Sequence, residues 1–206
     1  MGESVTVISD GLNGRKIPKY KRTIELLEMG LKREKNLAAF AVMLGSNDLL
    51  LSDSEGGNIN ADEIVQLMED FLTEIQNFLQ MNQIEMKSGQ EEIQKVWSEK
   101  KQAQIQQEQI QIEPKQNGSF GTAAETRIII IAPPPLHFQK ELDDKMPEIW
   151  SGYKKIAGRH GWDYIDTAGW KLPLAYDGVH LSEEGHRIFA EKLAEWIRQN
   201  ESDRNK

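Results

Sequence analysis

The 206-residue chain contains no cysteine. That excludes disulfides, thiol nucleophiles and cysteine-ligated zinc, and it fits a reducing compartment. Positive charge is in the minority: 25 Lys and Arg stand against 33 Asp and Glu, a formal net charge of −8. With that balance and no basic patch, a nucleic-acid partner is not expected. No apolar run approaches the roughly 20 residues needed to span a bilayer. The opening MGESVTVISDG has no basic segment followed by a long apolar stretch, so no signal peptide is expected and a cytoplasmic location is. Gly2 and Thr6 fit a short myristoylation pattern that often matches by chance.

What is present suits one soluble domain with a full hydrophobic core: 38 % of residues are hydrophobic and 28 % charged. SVTVIS (4–9) reads as a short strand, followed by the Gly-rich turn DGLNGRK. Ile24, Leu27 and Leu31 recur at helical spacing. NLAAFAVMLG (36–45) is a continuous apolar run, the pattern of a strand buried on both faces of a parallel sheet. Residues 60–84 form the clearest amphipathic helix, with an apolar stripe from Ile64 to Leu79, Asn60 as cap and Glu63 in the capping-box position.

TRIIIIAPPP (126–135) is a second buried strand, stopped by prolines. A helix follows with Ile149, Trp150, Tyr153 and Ile156 facing inward and Gly161 closing it. WDYIDT is a further strand, and the last helix, after Ser182, buries Ile188, Phe189, Leu193, Trp196 and Ile197. Strands alternating with helices predict an α/β fold with a parallel sheet, in which sites gather beyond the carboxyl ends of the strands. Three polar turns fall there: DGLNGR, GSND and DGVH. Residues 87–125 break the pattern. Rich in Gln, Glu and Lys, without a lasting heptad, they predict a solvated insertion, partly helical and then disordered, and a candidate surface for a protein partner.

The three turns carry a hydrolytic chemistry. A carbonyl under attack becomes an oxyanion, and each fixed donor near it removes about 3–4 kcal/mol of barrier. Asn47 offers a side-chain amide, and Gly14 a backbone N–H that a ligand can approach closely. His180 can act as general base, with Asp177 orienting it. Taken singly, each has a plainer role: turn former, turn glycine, cap, exposed imidazole. Their order along the chain is what argues for a site. Asp177, His180 and His186 make a poor metal set, since no fourth ligand accompanies them; no metal and no cofactor is expected. His137, after PPPL, reads as a loop residue.

DGLNGRK, VMLGSNDL and YDGVHLSEEGHRIFAEKL resemble the second, third and fifth conserved blocks of the SGNH hydrolases, also called GDSL-like esterases and lipases. The resemblance covers residues 4–82 and 126–198. It implies a flavodoxin-like three-layer α/β/α fold over a single domain, 1–206, interrupted by the insertion. It implies Gly14 and Asn47 as oxyanion donors and Asp177 and His180 as acid and base. LGSNDLLL and APPPL are similar to the arylesterase and acetylhydrolase-like branch, which acts on small acyl esters or acetylated sugars.

The family's first block, Gly-Asp-Ser on the turn after the first strand, is absent. Ser4, Ser9 and Ser46 do not occupy its place, so no nucleophile is assigned. In that family the first strand lies inside the sheet, so the resemblance implies a sheet with its first strand missing. The expected function is ester hydrolysis by a truncated form with little or no activity. The alternative is a non-catalytic member of the same fold that binds a ligand or a protein. Acyl specificity and oligomeric state are not set by the sequence.

Overall fold

The computed structural model describes residues 6–34, 37–51, 60–108 and 126–204. Helix α1 spans Lys21–Leu31, α2 Ser46–Leu50, α3 Ala61–Glu108, α4 Lys140–Asp143, α5 Met146–His160 and α6 Glu183–Arg204. Strand β1 is Ala39–Val42, β2 Arg127–Ile131 and β3 Asp163–Ile165. The strands lie in the order β1-β2-β3 and pair in parallel, with Phe40 opposite Ile128 and Ile131 opposite Ile165. Parallel neighbours need long crossovers, and helices supply them here: α2 and α3 between β1 and β2, then α4 and α5 between β2 and β3.

Side chains alternate across each strand, so the four isoleucines of β2 serve two cores. Ile128 and Ile130 join Phe40 and Val42 against α1, α3 and α5. Ile129 and Ile131 join Ile165 on the opposite face, where Phe189, Leu193 and Trp196 of α6 cover them. This is the α/β/α sandwich expected from the alternation of elements. The α3 stripe is fully sunk at Ile64, Met68, Leu72 and Ile75. Burying each such side chain stabilises the fold by about 1.5–3 kcal/mol. Asn60 caps α3 through its side-chain oxygen, which accepts the Glu63 N–H at 2.8 Å, while Glu63 accepts the Asn60 N–H at 3.2 Å.

Polar contacts fix the layers. Glu69 of α3 takes Arg159 at 2.8 Å and His160 at 2.6 Å from the end of α5. Arg127 holds Asp163 across β2 and β3 at 2.7 Å and lies over the Trp196 ring of α6.

The structure corrects four expectations. Residues 6–9 are not a strand: Val7 is 80 % exposed and the segment is irregular, because no backbone among the described residues pairs with it. Residues 4 and 5 lie outside the described residues. The strand read over 36–45 contracts to β1, and Ala41 within it is exposed rather than covered on both faces. Among the described residues that side of the sheet is covered by α6 and Trp170, and the apolar stripe of α6 is half-buried instead of buried. Finally, no break separates the helix at 60–84 from the polar insertion: α3 runs on to Glu108. Residues 109–125, expected to be disordered, lie outside the described residues.

Candidate active site

The candidate residues Asn47 and Asp177–His180 lie in the chain segments that follow β1 and β3, and Gly14 lies ahead of α1. After β1 the chain passes through Leu44 and Gly45 into α2. The Tyr153 hydroxyl, from α5, donates to the Leu44 carbonyl at 3.1 Å. Gly45 has φ +115°, and a Cβ there would strike that hydroxyl. Any other residue would be both strained and obstructed. The turn is thus fixed from beneath, which places Asn47 and Asp48 at the rim.

Asn47 and Asp48 reach the segment ahead of α1. Asn47 Nδ2 donates to the Arg15 carbonyl at 3.0 Å. Asp48 accepts the Ile17 N–H on both oxygens, at 3.1 and 3.3 Å. Burial pushes the Asp48 carboxyl up, while the Ile17 N–H, its own backbone N–H, and Lys16 and Lys19 pull the other way. Gly14, on the exposed turn closed by the Arg15 N–H on Leu12, therefore lies one residue from the Asn47 contact. Asn47 has a second amide hydrogen beyond the one given to Arg15.

The third component follows β3, after a short 3-10 turn at Ala168–Trp170. Leu174 and Leu181 bridge in antiparallel fashion, and the Ala175 N–H donates to the His180 carbonyl at 2.7 Å. Inside this tight loop Asp177 Oδ1 accepts the N–H groups of Val179 and His180, each at 3.0 Å. Its Oδ2 lies 2.7 Å from His180 Nδ1. These contacts, the Val179 N–H first, hold the Asp177 carboxyl down at about 2. A carboxylate can only accept, so Nδ1 is the donor, and in the neutral ring Nε2 keeps a lone pair able to take a proton. His180 itself is exposed.

The loop after β2 supports this turn. The His137 N–H donates to the Gly178 carbonyl at 2.8 Å, and a Cβ on Gly178, whose φ is +69°, would run into the His137 carbonyl. His137 thus contributes its backbone to the relay turn.

The structure brings Asn47 and the Gly14 turn together, and Asp177 and His180 together, as two separate pairs; Asn47 follows β1 and the Asp177–His180 loop follows β3, whereas the Gly14 turn lies ahead of α1 and leaves no strand, contrary to expectation. Ser182 is occupied as the cap of α6: its hydroxyl donates to the Pro173 carbonyl at 3.1 Å and accepts the Gly185 N–H at 3.1 Å. His186 is exposed on the first turn of α6. Among the described residues no group of three or more His, Asp or Glu is placed to hold a metal ion.

The sequence assigns no part to Asp48 or to the Gly178–His137 contact, and it gives Tyr153 only an inward-facing place in its helix. The signal for Asp48 was available: an acid between Leu44 and Leu49–Leu50 has to be buried or exposed against its neighbours.

Solved structures supply the comparison. The aryl esterase of M. smegmatis is similar to this chain with a TM-score of 0.62 at 18 % identity, covering 94 % of this chain and 78 % of that one. A carbohydrate acetylesterase family member from Sinorhizobium meliloti is similar with a TM-score of 0.59 at 20 % identity, covering 94 % and 79 %. The chain has the fold of these esterases. No protein-family model and no curated protein sequence matches it. No helix among the described residues is long and apolar enough to cross a membrane.

Proposed function

We propose that the chain hydrolyses carboxylic ester bonds of small acyl esters or acetylated sugars, and does so slowly. His180, braced by Asp177, is the base, and Asn47 with the Gly14 N–H receives the oxyanion. The observation that carries the reading is the 2.7 Å contact between Asp177 and His180 Nδ1, in the loop that follows β3. Similarity of fold to esterase structures supports it.

No serine is assigned as nucleophile, so the reading runs through water. Water attacks the acyl carbonyl and its proton passes to His180 Nε2. The carbonyl oxygen takes the electron pair and faces the Asn47 amide. The tetrahedral species then collapses, the C–O bond to the alcohol breaks, and the alcohol leaves with the proton from His180. Without a covalent intermediate, the acceleration expected is roughly 10³–10⁴ over uncatalysed hydrolysis.

The test is hydrolysis of p-nitrophenyl acetate by the purified chain and by His180→Ala. A slow, saturable rate that drops to background in the variant supports the reading. A rate indifferent to His180 contradicts it. Turnover at ordinary esterase rates that a serine-directed phosphonate abolishes would instead reveal a serine nucleophile.

A further inference from the structure

Among the described residues Asp48 is the only charged side chain that is almost wholly buried, at 3 % exposure. The proposed chemistry does not use it. Keeping a carboxylate away from water is unfavourable, and an apolar residue of similar size would pack there at less cost. What an apolar residue could not do is accept the Ile17 N–H, which would then be left buried and unpaired.

The geometry around Asp48 is that of a latch. Ile17 is seated in the main core, and its N–H is held by both Asp48 oxygens. Two residues earlier the same strip of chain gives its Arg15 carbonyl to Asn47. Two consecutive side chains of α2 therefore grip a segment more than thirty positions away in sequence. On the other side Tyr153, from α5, fixes the turn that launches α2. The charged and titratable groups facing the carboxylate are Lys16 and Lys19 from the gripped segment and Tyr153 from α5. Gly14 lies immediately before the gripped residues, so the backbone path through 15–17 decides where its N–H stands.

We propose that Asp48 is a positioning residue: by capturing the Ile17 N–H it sets the path of residues 14–17, and so aligns the Gly14 N–H with the Asn47 amide. The catalytic part of this proposal rests on the reading of Gly14 and Asn47 as oxyanion donors; the latch itself does not. Asn47 holds the segment by its carbonyl side and Asp48 by its N–H side, so losing either frees rotation about the other.

Amide hydrogen exchange on the full chain decides the matter, with Asp48→Leu as the disabling variant and Asp48→Asn, which keeps one acceptor oxygen, as the conservative one. In Asp48→Leu the amides of Arg15 and Ile17, which are hydrogen-bonded in the original chain, exchange at least about tenfold faster, while those of Ile129 and Ile130 in β2 keep their protection. Asp48→Asn restores most of the protection. Where p-nitrophenyl acetate is hydrolysed, Asp48→Leu lowers kcat by about tenfold or more with little change in KM, since a displaced donor acts only in the transition state. Unchanged exchange at Arg15 and Ile17 overturns the proposal. So does a uniform rise across β2 and the segment alike, with activity following the folded fraction, which marks a merely structural residue. Absence of any His180-dependent hydrolysis defeats the esterase reading alone, and the exchange data still decide the latch.

Discussion

At Gly178 the backbone takes up φ +69° with the His137 carbonyl directly beside it. Gly178→Ala adds a left-handed strain of about 1–2 kcal/mol and a collision. The expected result is a loss of about 2–3 kcal/mol in denaturant unfolding, together with loss of the His180 Nδ1 proton resonance as the relay turn shifts. Asp177 offers a second measurement. Its folded pKa lies below the ordinary aspartate value, so the fold favours the carboxylate. Its stabilising contribution is complete above about pH 4 and disappears as pH falls toward about 2. Carboxyl NMR should give a midpoint at about 2. In His180→Ala that midpoint should rise while staying below the ordinary value, because the Val179 N–H, the larger cause, remains. The Asp177–His180 pair was legible in the sequence because its partners are three positions apart on one turn. Asn47 with Arg15 and Asp48 with Ile17 were not, because their separations of 32 and 31 residues leave no local spacing to read.

The helices were readable from period and caps, and the strands less so. Helix α3 declares itself through the Ile64–Leu79 stripe and the Asn60–Glu63 box, since both follow from local geometry. Asn60→Ala should cost about 1 kcal/mol of stability, measured by thermal melting with helicity outside α3 unchanged. The length of α3 was hidden: beyond Ile84 the composition turns polar, and Gln, Glu and Lys favour a solvated helix without supplying an apolar period. Strands fail differently. VTVIS has strand-forming residues, yet a strand exists only through the backbone of a neighbour, and residues 6–9 have none among the described residues. The same interdependence shortened β1. Its pairing with β2 is shown, and its other edge carries no strand among the described residues.

Across the whole molecule the insertion and the folded body meet at a defined point. Gln83 donates to Thr126 at 2.9 Å, and Thr126 donates to the Leu37 carbonyl at 2.8 Å, so the chain leaves and re-enters the body at neighbouring places. Replacing residues 87–125 with a short Gly/Ser linker should therefore shift the melting temperature by only about 2–4 °C, equivalent to roughly 1 kcal/mol. A collapse of cooperative unfolding would show that the segment belongs to the core. The wider account depends on two strand-end loops, one bearing Asn47 and the other His180, acting on a single acyl group. A double-mutant cycle on p-nitrophenyl acetate hydrolysis tests this most directly, comparing the original chain with Asn47→Ala, His180→Ala and both together. The account predicts that each single change slows the reaction and that the double variant is scarcely slower than the worse single one. Two independent, fully additive effects, or an Asn47→Ala variant as fast as the original, would contradict it.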